Sequence, residues 1–160
     1  KNDVLASGNI FNMISNQKYR KGVFIVVYRK NKGKIEYIVL KRRKHWRGWE
    51  FPKGGVEKNE TLFAAAKREC FEETGFQAKK LKKFMISGKY KYHKKFADRP
   101  GFIGQTYVLF LAEVSIGKTK IDKKEHSSYL WLGFNKAIRK LTHRNQKKCL
   151  AVVNNSLIGK

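Results

Sequence analysis

GGVEKNETLFAAAKRECFEETGF, residues 54–76, is the stretch on which the reading of this chain turns. Leu62, Ala66 and Cys70 recur at i, i+4 and i+8 with Phe63 beside them, so residues 61–74 predict an amphipathic helix. Gly75 stands where a C-cap glycine belongs. Glu69, Glu72 and Glu73 fall at i, i+3 and i+4, on one face of that helix, in a chain whose formal charge is +25. Like charges at those spacings cost roughly 0.2–0.5 kcal/mol per pair, so something must offset them. Arg68 is one counter-charge, and Glu60 at the helix start suits the N-terminal dipole. A hard divalent cation such as Mg²⁺ is the stronger answer, because it takes carboxylate oxygens together with the phosphate oxygens of a substrate. The alternative is a solvated acidic face.

The acids are unevenly spread. Five of the twelve lie within residues 57–73, and the remaining seven are Asp3, Glu36, Glu50, Asp98, Glu113, Asp122 and Glu125, so nearly everything outside that window is basic. A surface of this kind attracts polyanions: nucleic acid, nucleoside polyphosphates, inositol phosphates or an acidic membrane. A solubility feature is the bland alternative. At 160 residues, 41% hydrophobic and 13% aromatic, the chain can build one core, and residues 1–160 are expected to form a single domain. Cys70 and Cys149 are too few for a disulfide framework and read as reduced thiols of an intracellular, cytoplasmic protein. No apolar run approaches the ~18 residues of a membrane span. Because the chain begins at Lys1 and not at Met, the sequence is silent on a leader.

Residues 1–20 have no clear period and read as an arm or edge element. GVFIVVYR (22–29) and KIEYIVLKRR (34–43) are β-rich runs joined by KNKG, a hairpin. HWRGWEFPKGG (45–55) reads as an aromatic, Gly/Pro-punctuated loop, with Trp49 and Phe51 assigned to the core. Residues 81–92 and 104–114 predict a second strand pair, 129–134 a further strand, and 135–153 one helix with Ala137, Ile138, Leu141, Leu150 and Val153 inward. Interleaved strands and helices give an α/β or α+β fold with helices packed on a mixed sheet.

From Gly54 the chain runs five residues to Glu60, seven more, then Arg68-Glu69-Cys70-Phe71-Glu72-Glu73-Thr74-Gly75-Phe76. This resembles the Nudix hydrolase signature, G-x5-E-x7-R-E-U-x-E-E-x-G-U, with U bulky or aliphatic. Seven fixed positions at residue frequencies of ~5–7% should coincide by chance about once per million chains. Cys70 is the one mild departure, and Cys behaves as a small buried hydrophobe. The resemblance implies an α/β/α sandwich on a mixed sheet, with the box (54–76) carrying the metal-binding helix and a further helix at the C-terminal end. It also implies Mg²⁺- or Mn²⁺-assisted hydrolysis of a nucleoside polyphosphate linkage, with one to three ions. Carried over, Glu69, Glu72 and Glu73 are the metal ligands and catalytic carboxylates, and the Gly54 carbonyl is a further ligand. Arg68 and Glu60 would pair to hold the helix against its loop.

A general base is also needed. Glu125, just before an aromatic strand, resembles the extra glutamate of Nudix enzymes acting on dinucleoside polyphosphates and RNA 5′ ends, with Glu113 and Glu73 as competitors. Lys53, beside the glycines, can reach a phosphate as a compact point charge. In GKYKYHKKF (88–96), strand alternation puts Tyr90 and Tyr92 on one face, suited to base stacking, and Lys89 and Lys91 on the other, suited to phosphates. His45 and Trp46 are weaker base contacts, and His93, His126 and His143 receive no assigned role.

Four functions follow from the resemblance. The leading one, since the chain most resembles the asymmetric diadenosine tetraphosphate hydrolases in its Pro-Lys-Gly-Gly run and in residues 125–150, is a bis(5′-nucleosyl)-tetraphosphatase converting diadenosine tetraphosphate to ATP and AMP. The second is an RNA 5′-end pyrophosphohydrolase or decapping enzyme, favoured by the charge. The Pro-Lys-Gly-Gly run also resembles diphosphoinositol polyphosphate phosphohydrolases. The last, from another class, is a catalytically silent RNA-binding module, against which the intact glutamate set argues.

Overall fold

A computed structural model describes residues 18–159. The elements run β1 (Lys18–Arg20), β2 (Gly22–Asn31), β3 (Lys34–Arg42), β4 (Gly48–Glu50), β5 (Lys53–Gly55), α1 (Leu62–Thr74), β6 (Lys80–Lys91), β7 (Phe102–Glu113), β8 (His126–Leu132), α2 (Phe134–Lys140) and α3 (Arg144–Ile158). Among the described residues the strands form one mixed sheet. β2 lies between β7, its parallel partner from Val23↔Val108 to Tyr28↔Glu113, and β3, its antiparallel partner. β1 pairs in parallel with the first part of β7, and β6 runs antiparallel along β7. β4 and β8 both pair with β3, and β5 folds back on the start of β2. The β2–β3 turn is Lys32–Gly33, with φ of 48° and 77°. Positive φ at both positions is what a two-residue hairpin with native strand twist demands.

Alternation along β2 builds two cores. Val23, Ile25 and Val27 pack with Ala65, Ala66 and Cys70 of α1, and Phe24, Val26 and Tyr28 pack with Ala137, Leu150 and Val153 of α2 and α3. Burial of each large apolar side chain contributes roughly 1.5–3 kcal/mol. A strand covered on both faces needs apolar residues throughout, so 22–29 reads as a continuous run rather than an alternating one. The result is the sandwich of helices on both faces of a mixed sheet. Trp49 and Phe51 join the α2–α3 side of the core, as assigned.

Helix α1 starts where Thr61 Oγ1 accepts from the Ala64 N–H at 3.1 Å. It stops at Gly75, whose φ of 78° lets its N–H donate back to the Phe71 carbonyl. Its buried face is Ala65, Ala66, Glu69, Cys70, Glu73 and Thr74, so two of the three box carboxylates point inward, toward the sheet.

Three expectations need correction. The helix expected over 135–153 is two helices. At Leu141 the backbone is extended (φ −56°, ψ 137°), and Thr142 exchanges hydrogen bonds with Trp49 of β4, so the backbone there bonds to a strand. The loop expected at 45–55 contains β4 and β5, three-residue strands whose pairing with β3 and β2 overrides local turn chemistry. The strand expected at 129–134 spans His126–Leu132. Of the N-terminal element, residues 18–20 form β1, and residues 1–17 lie outside the described residues.

Candidate active site

The inner face of α1 meets β5 at close quarters. The Lys53 N–H donates to Glu73 Oε2 at 2.9 Å. A Cβ added at Gly54 would fall 1.9 Å from the Glu69 carboxylate, so only glycine admits that approach. Arg68 binds this arrangement together. Its Nε and Nη2 donate to the two Glu60 oxygens at 2.9 and 2.8 Å, and Nη2 also reaches the Gly55 carbonyl at 2.8 Å. Its Nη1 donates to Glu69 at 2.7 Å and to Glu72 at 3.1 Å. Glu60 in turn accepts from the Glu57 N–H, so helix, loop and strand β5 are held by one guanidinium and one carboxylate.

A cleft opens here, lined by Gly54, Glu69, Glu72, Glu73 and Glu125 together with Arg42, Lys53 and Arg99. Burial pushes the Glu69 carboxyl up to about 7 against the pull of Arg68. Burial, then the charges of Glu50 and Glu69, push Glu73 well above the carboxylate range. The donors are all hard oxygens, two of them on carboxylates that burial and mutual repulsion make costly to ionise. That donor set fits a hard divalent cation, which supplies the missing positive charge. Among the described residues no three side chains converge as a ready metal cage, and Arg68 pairs with Glu69 and Glu72.

The two competitors outside the box separate cleanly. Glu125 lines the cleft and ion-pairs with Arg42, with Lys44 Nζ 3.9 Å away. Glu113 ends β7, accepts from the Tyr28 hydroxyl at 2.9 Å and does not line the cleft. Sequence reasoning gave no role to Glu50, which is fully buried between Arg42 (3.2 Å), Lys53 (3.2 Å) and His126 (3.1 Å). Burial alone would raise its carboxyl, but Lys53, His126 and Arg42 bring it down to about 2. The available signal was its isolation as the one acid between Glu36 and Glu57, set between Trp49 and Phe51.

Beside the cleft lies an aromatic cavity lined by Trp46, Tyr90, Tyr92, Phe96, His45 and His143, among others. Phe96 stacks on His45 at 4.1 Å between centroids and meets Tyr92 edge-on at 5.3 Å, while Trp46 meets His143 edge-on at 4.4 Å. Tyr90 and Tyr92 thus share the cavity, as strand alternation predicts. Lys89 points to the opposite sheet face, where its Nζ sits 5.3 Å from the Tyr19 ring centroid, and it lines neither space. Lys91, which shares its parity, does line the aromatic cavity, because β6 ends there. His93 also lines the cavity, whereas His126 is buried against Glu50. Arg42, Lys53 and Arg99 line both spaces and form the wall they share. Burial lowers Lys53, but Glu50 and Tyr90 together outweigh it, so its pKa stands above the ordinary lysine value.

A family model described as the NUDIX domain matches residues 18–152. An RNA pyrophosphohydrolase of Baumannia cicadellinicola is 32% identical over 133 residues, 76% of this chain and 81% of that protein. An RNA pyrophosphohydrolase of Haemophilus ducreyi is 28% identical over 141 residues, 81% of this chain and 70% of that protein. Among solved structures, a C. elegans Ap4A hydrolase in a binary complex superposes with a TM-score of 0.71 at 25% identity, over 88% of this chain and 99% of that one. The NUDIX domain of Shewanella oneidensis NrtR shares the fold, with a TM-score of 0.70 at 12% identity over 96% of this chain and 99% of that one. Among the described residues no helix is long and apolar enough to cross a membrane. Nudix hydrolases generally use divalent metal ions, in keeping with the oxygen donors gathered on α1. With the match running from β1 into α3, the chain belongs to the NUDIX domain family and is a Nudix pyrophosphohydrolase.

Proposed function

We propose that the chain hydrolyses the 5′-triphosphate of an RNA end, breaking the anhydride next to the first phosphate to leave a 5′-monophosphate and release pyrophosphate. The observation that carries this reading is the shared wall: a base in the aromatic cavity would send its phosphates across Arg42, Lys53 and Arg99 into the carboxylate cleft. Tyr92 and Phe96, with Arg99 lying over both rings, would take the base by stacking, which is worth ~1–3 kcal/mol per base. Lys53 meets a phosphate as a point charge, and the guanidinium groups meet two oxygens at once. Glu69, Glu72, Glu73 and the Gly54 carbonyl would hold Mg²⁺ or Mn²⁺, one to three ions, with Arg68 and Glu60 as their support. When bound, the metal neutralises phosphate oxygens and makes a water acidic enough to attack phosphorus. Glu125, open to the cleft, would accept a proton from the attacking water on a carboxylate oxygen. The net charge of +25 favours a substrate longer than a dinucleotide, and the curated relatives bear the name RNA pyrophosphohydrolase.

A second reading, hydrolysis of diadenosine tetraphosphate to ATP and AMP, is favoured by the aromatic cavity and by the likeness to an Ap4A hydrolase. One assay with Mg²⁺ separates them: 5′-triphosphorylated RNA, capped RNA, diadenosine tetraphosphate and a diphosphoinositol phosphate, with products identified. The first reading predicts fastest loss of the RNA 5′-triphosphate. Rapid ATP and AMP with idle RNA would install the second. Inert substrates throughout would point to a binding module.

A further inference from the structure

Glu50 is a strange residue to bury. A buried ion pair is weak evidence for stability, since removing charges from water costs about what their attraction returns. Here one carboxylate, with no measurable exposure, serves three partners from three strands: Arg42 at the end of β3, Lys53 at the start of β5 and His126 at the start of β8. Two of those partners are not structural dead ends. Lys53 and Arg42 each line both the aromatic cavity and the carboxylate cleft. Arg42 reaches onward to Glu125, and its Nε is tied to the Lys44 carbonyl at 2.9 Å.

Lys53 is held from two sides. Its Nζ is 3.2 Å from Glu50 Oε2, a charge contact outside hydrogen-bond angles, and 3.4 Å from the Tyr90 hydroxyl, to which it donates. An ammonium carries three N–H donors on a flexible stem that otherwise spends considerable rotamer entropy on binding. Fixed between Glu50 beneath and Tyr90 beside, it keeps donor capacity for a ligand and little freedom to waste. The other oxygen, Oε1, accepts from Arg42 Nη1 and contacts His126 Nε2. One carboxylate thus sets the height of one cation with each oxygen.

We propose that Glu50 is a positioning residue: it aims Lys53 and Arg42 as a matched pair at the polyphosphate, and through Arg42 it places Glu125. It touches neither substrate nor metal. The proposal rests on the reading of this wall as the phosphate path, and it adds the residue that organises the path from below.

The test is a double-mutant cycle on Glu50→Gln and Lys53→Met, read in two ways. The first readout is calorimetric binding of a non-hydrolysable nucleoside triphosphate. The second is kcat and KM on 5′-triphosphorylated RNA with Mg²⁺. If Glu50 acts through Lys53 and Arg42, each single variant weakens binding by about tenfold, and the double variant falls well short of the roughly hundredfold product, with the remaining effect of Glu50→Gln in the Lys53→Met background passing through Arg42. Glu50→Gln should also lower kcat, because Arg42 and Glu125 lose their reference. Multiplicative single effects, or a folded Glu50→Gln within twofold of wild type in binding and kinetics, would overturn the proposal. Glu50→Asp guards against misfolding, since it keeps the buried charge and retracts it by one methylene. It should raise KM severalfold with a melting temperature near wild type, and unchanged constants would count equally against the idea. Binding that shows the coupling while RNA is not hydrolysed would spare this inference and sink only the substrate assignment.

Discussion

The main-chain N–H of Lys53 donates to Oε2 of Glu73 at 2.9 Å, joining the first residue of β5 to the last box carboxylate of α1 across twenty positions of sequence. The same residue whose side chain lines the proposed phosphate path is therefore bonded, through its backbone, to a carboxylate of the proposed metal site. The proposed path and cradle thus share a residue, and the predictions follow from that coupling.

Gly54→Ala tests the cradle without touching a charge. The new methyl would meet the Glu69 carboxylate, the far end of a flexible side chain, so the fold should yield by moving that side chain. A misplacement of about 1 Å at a reacting centre can cost on the order of a hundredfold in rate. The expected outcome is a drop of that size in kcat with a melting temperature shifted by only a few degrees. A large loss of stability at intact kcat would show that the glycine serves packing instead.

Tyr92→Ala removes a ring from the aromatic cavity at a strand end, where little core depends on it. Loss of stacking worth ~1–3 kcal/mol should raise KM about tenfold or more and leave kcat within a fewfold. Steady-state kinetics at fixed salt decides it. An effect confined to kcat would remove the base from the cavity.

Acid stability should report Glu50. Its pKa falls from 4.5 to about 2 on folding, so the folded state favours its ionised form. The associated stability is fully present above pH 4.5 and is lost as pH falls toward about 2. The shift corresponds to roughly 3 kcal/mol. Urea unfolding of wild type and Glu50→Gln between pH 7 and pH 3 should show a gap that narrows on acidification. A gap independent of pH would mean that Glu50 is not the ionised partner of Lys53 and Arg42.

Much of this molecule is legible in its sequence, for physical reasons that differ by residue. The box helix, its Gly75 stop and its pairing of Arg68 with Glu60 depend on local spacing, and the structure has them as expected. The split after Lys140 was hidden, because the partner that extracts Thr142 from the helix is Trp49, far away in sequence. β4 and β5 were hidden for the same reason: three-residue strands exist only through the strands they pair with. Alternation correctly put Tyr90 and Tyr92 together, but it could not say which sheet face opened on the two spaces, so Lys89, expected to meet phosphates, lines neither of them. Glu50 was the largest omission, since its three partners come from residues 42, 53 and 126 and only the sheet brings them to one point.

The central claim is that the glutamate face of α1 works as a metal-dependent hydrolytic centre, and Glu72→Gln tests it most directly. Glu72 is the half-exposed member of the set, so its replacement by an isosteric amide should leave the fold intact. The measurement is the hydrolysis rate of 5′-triphosphorylated RNA with and without Mg²⁺, alongside RNA binding by the same variant. The account predicts Mg²⁺-dependent turnover in wild type, and a loss of more than about a hundredfold in Glu72→Gln with RNA affinity retained, because removal of even a group supporting a metal ligand costs 10–100-fold. Turnover in Glu72→Gln within a fewfold of wild type would contradict it.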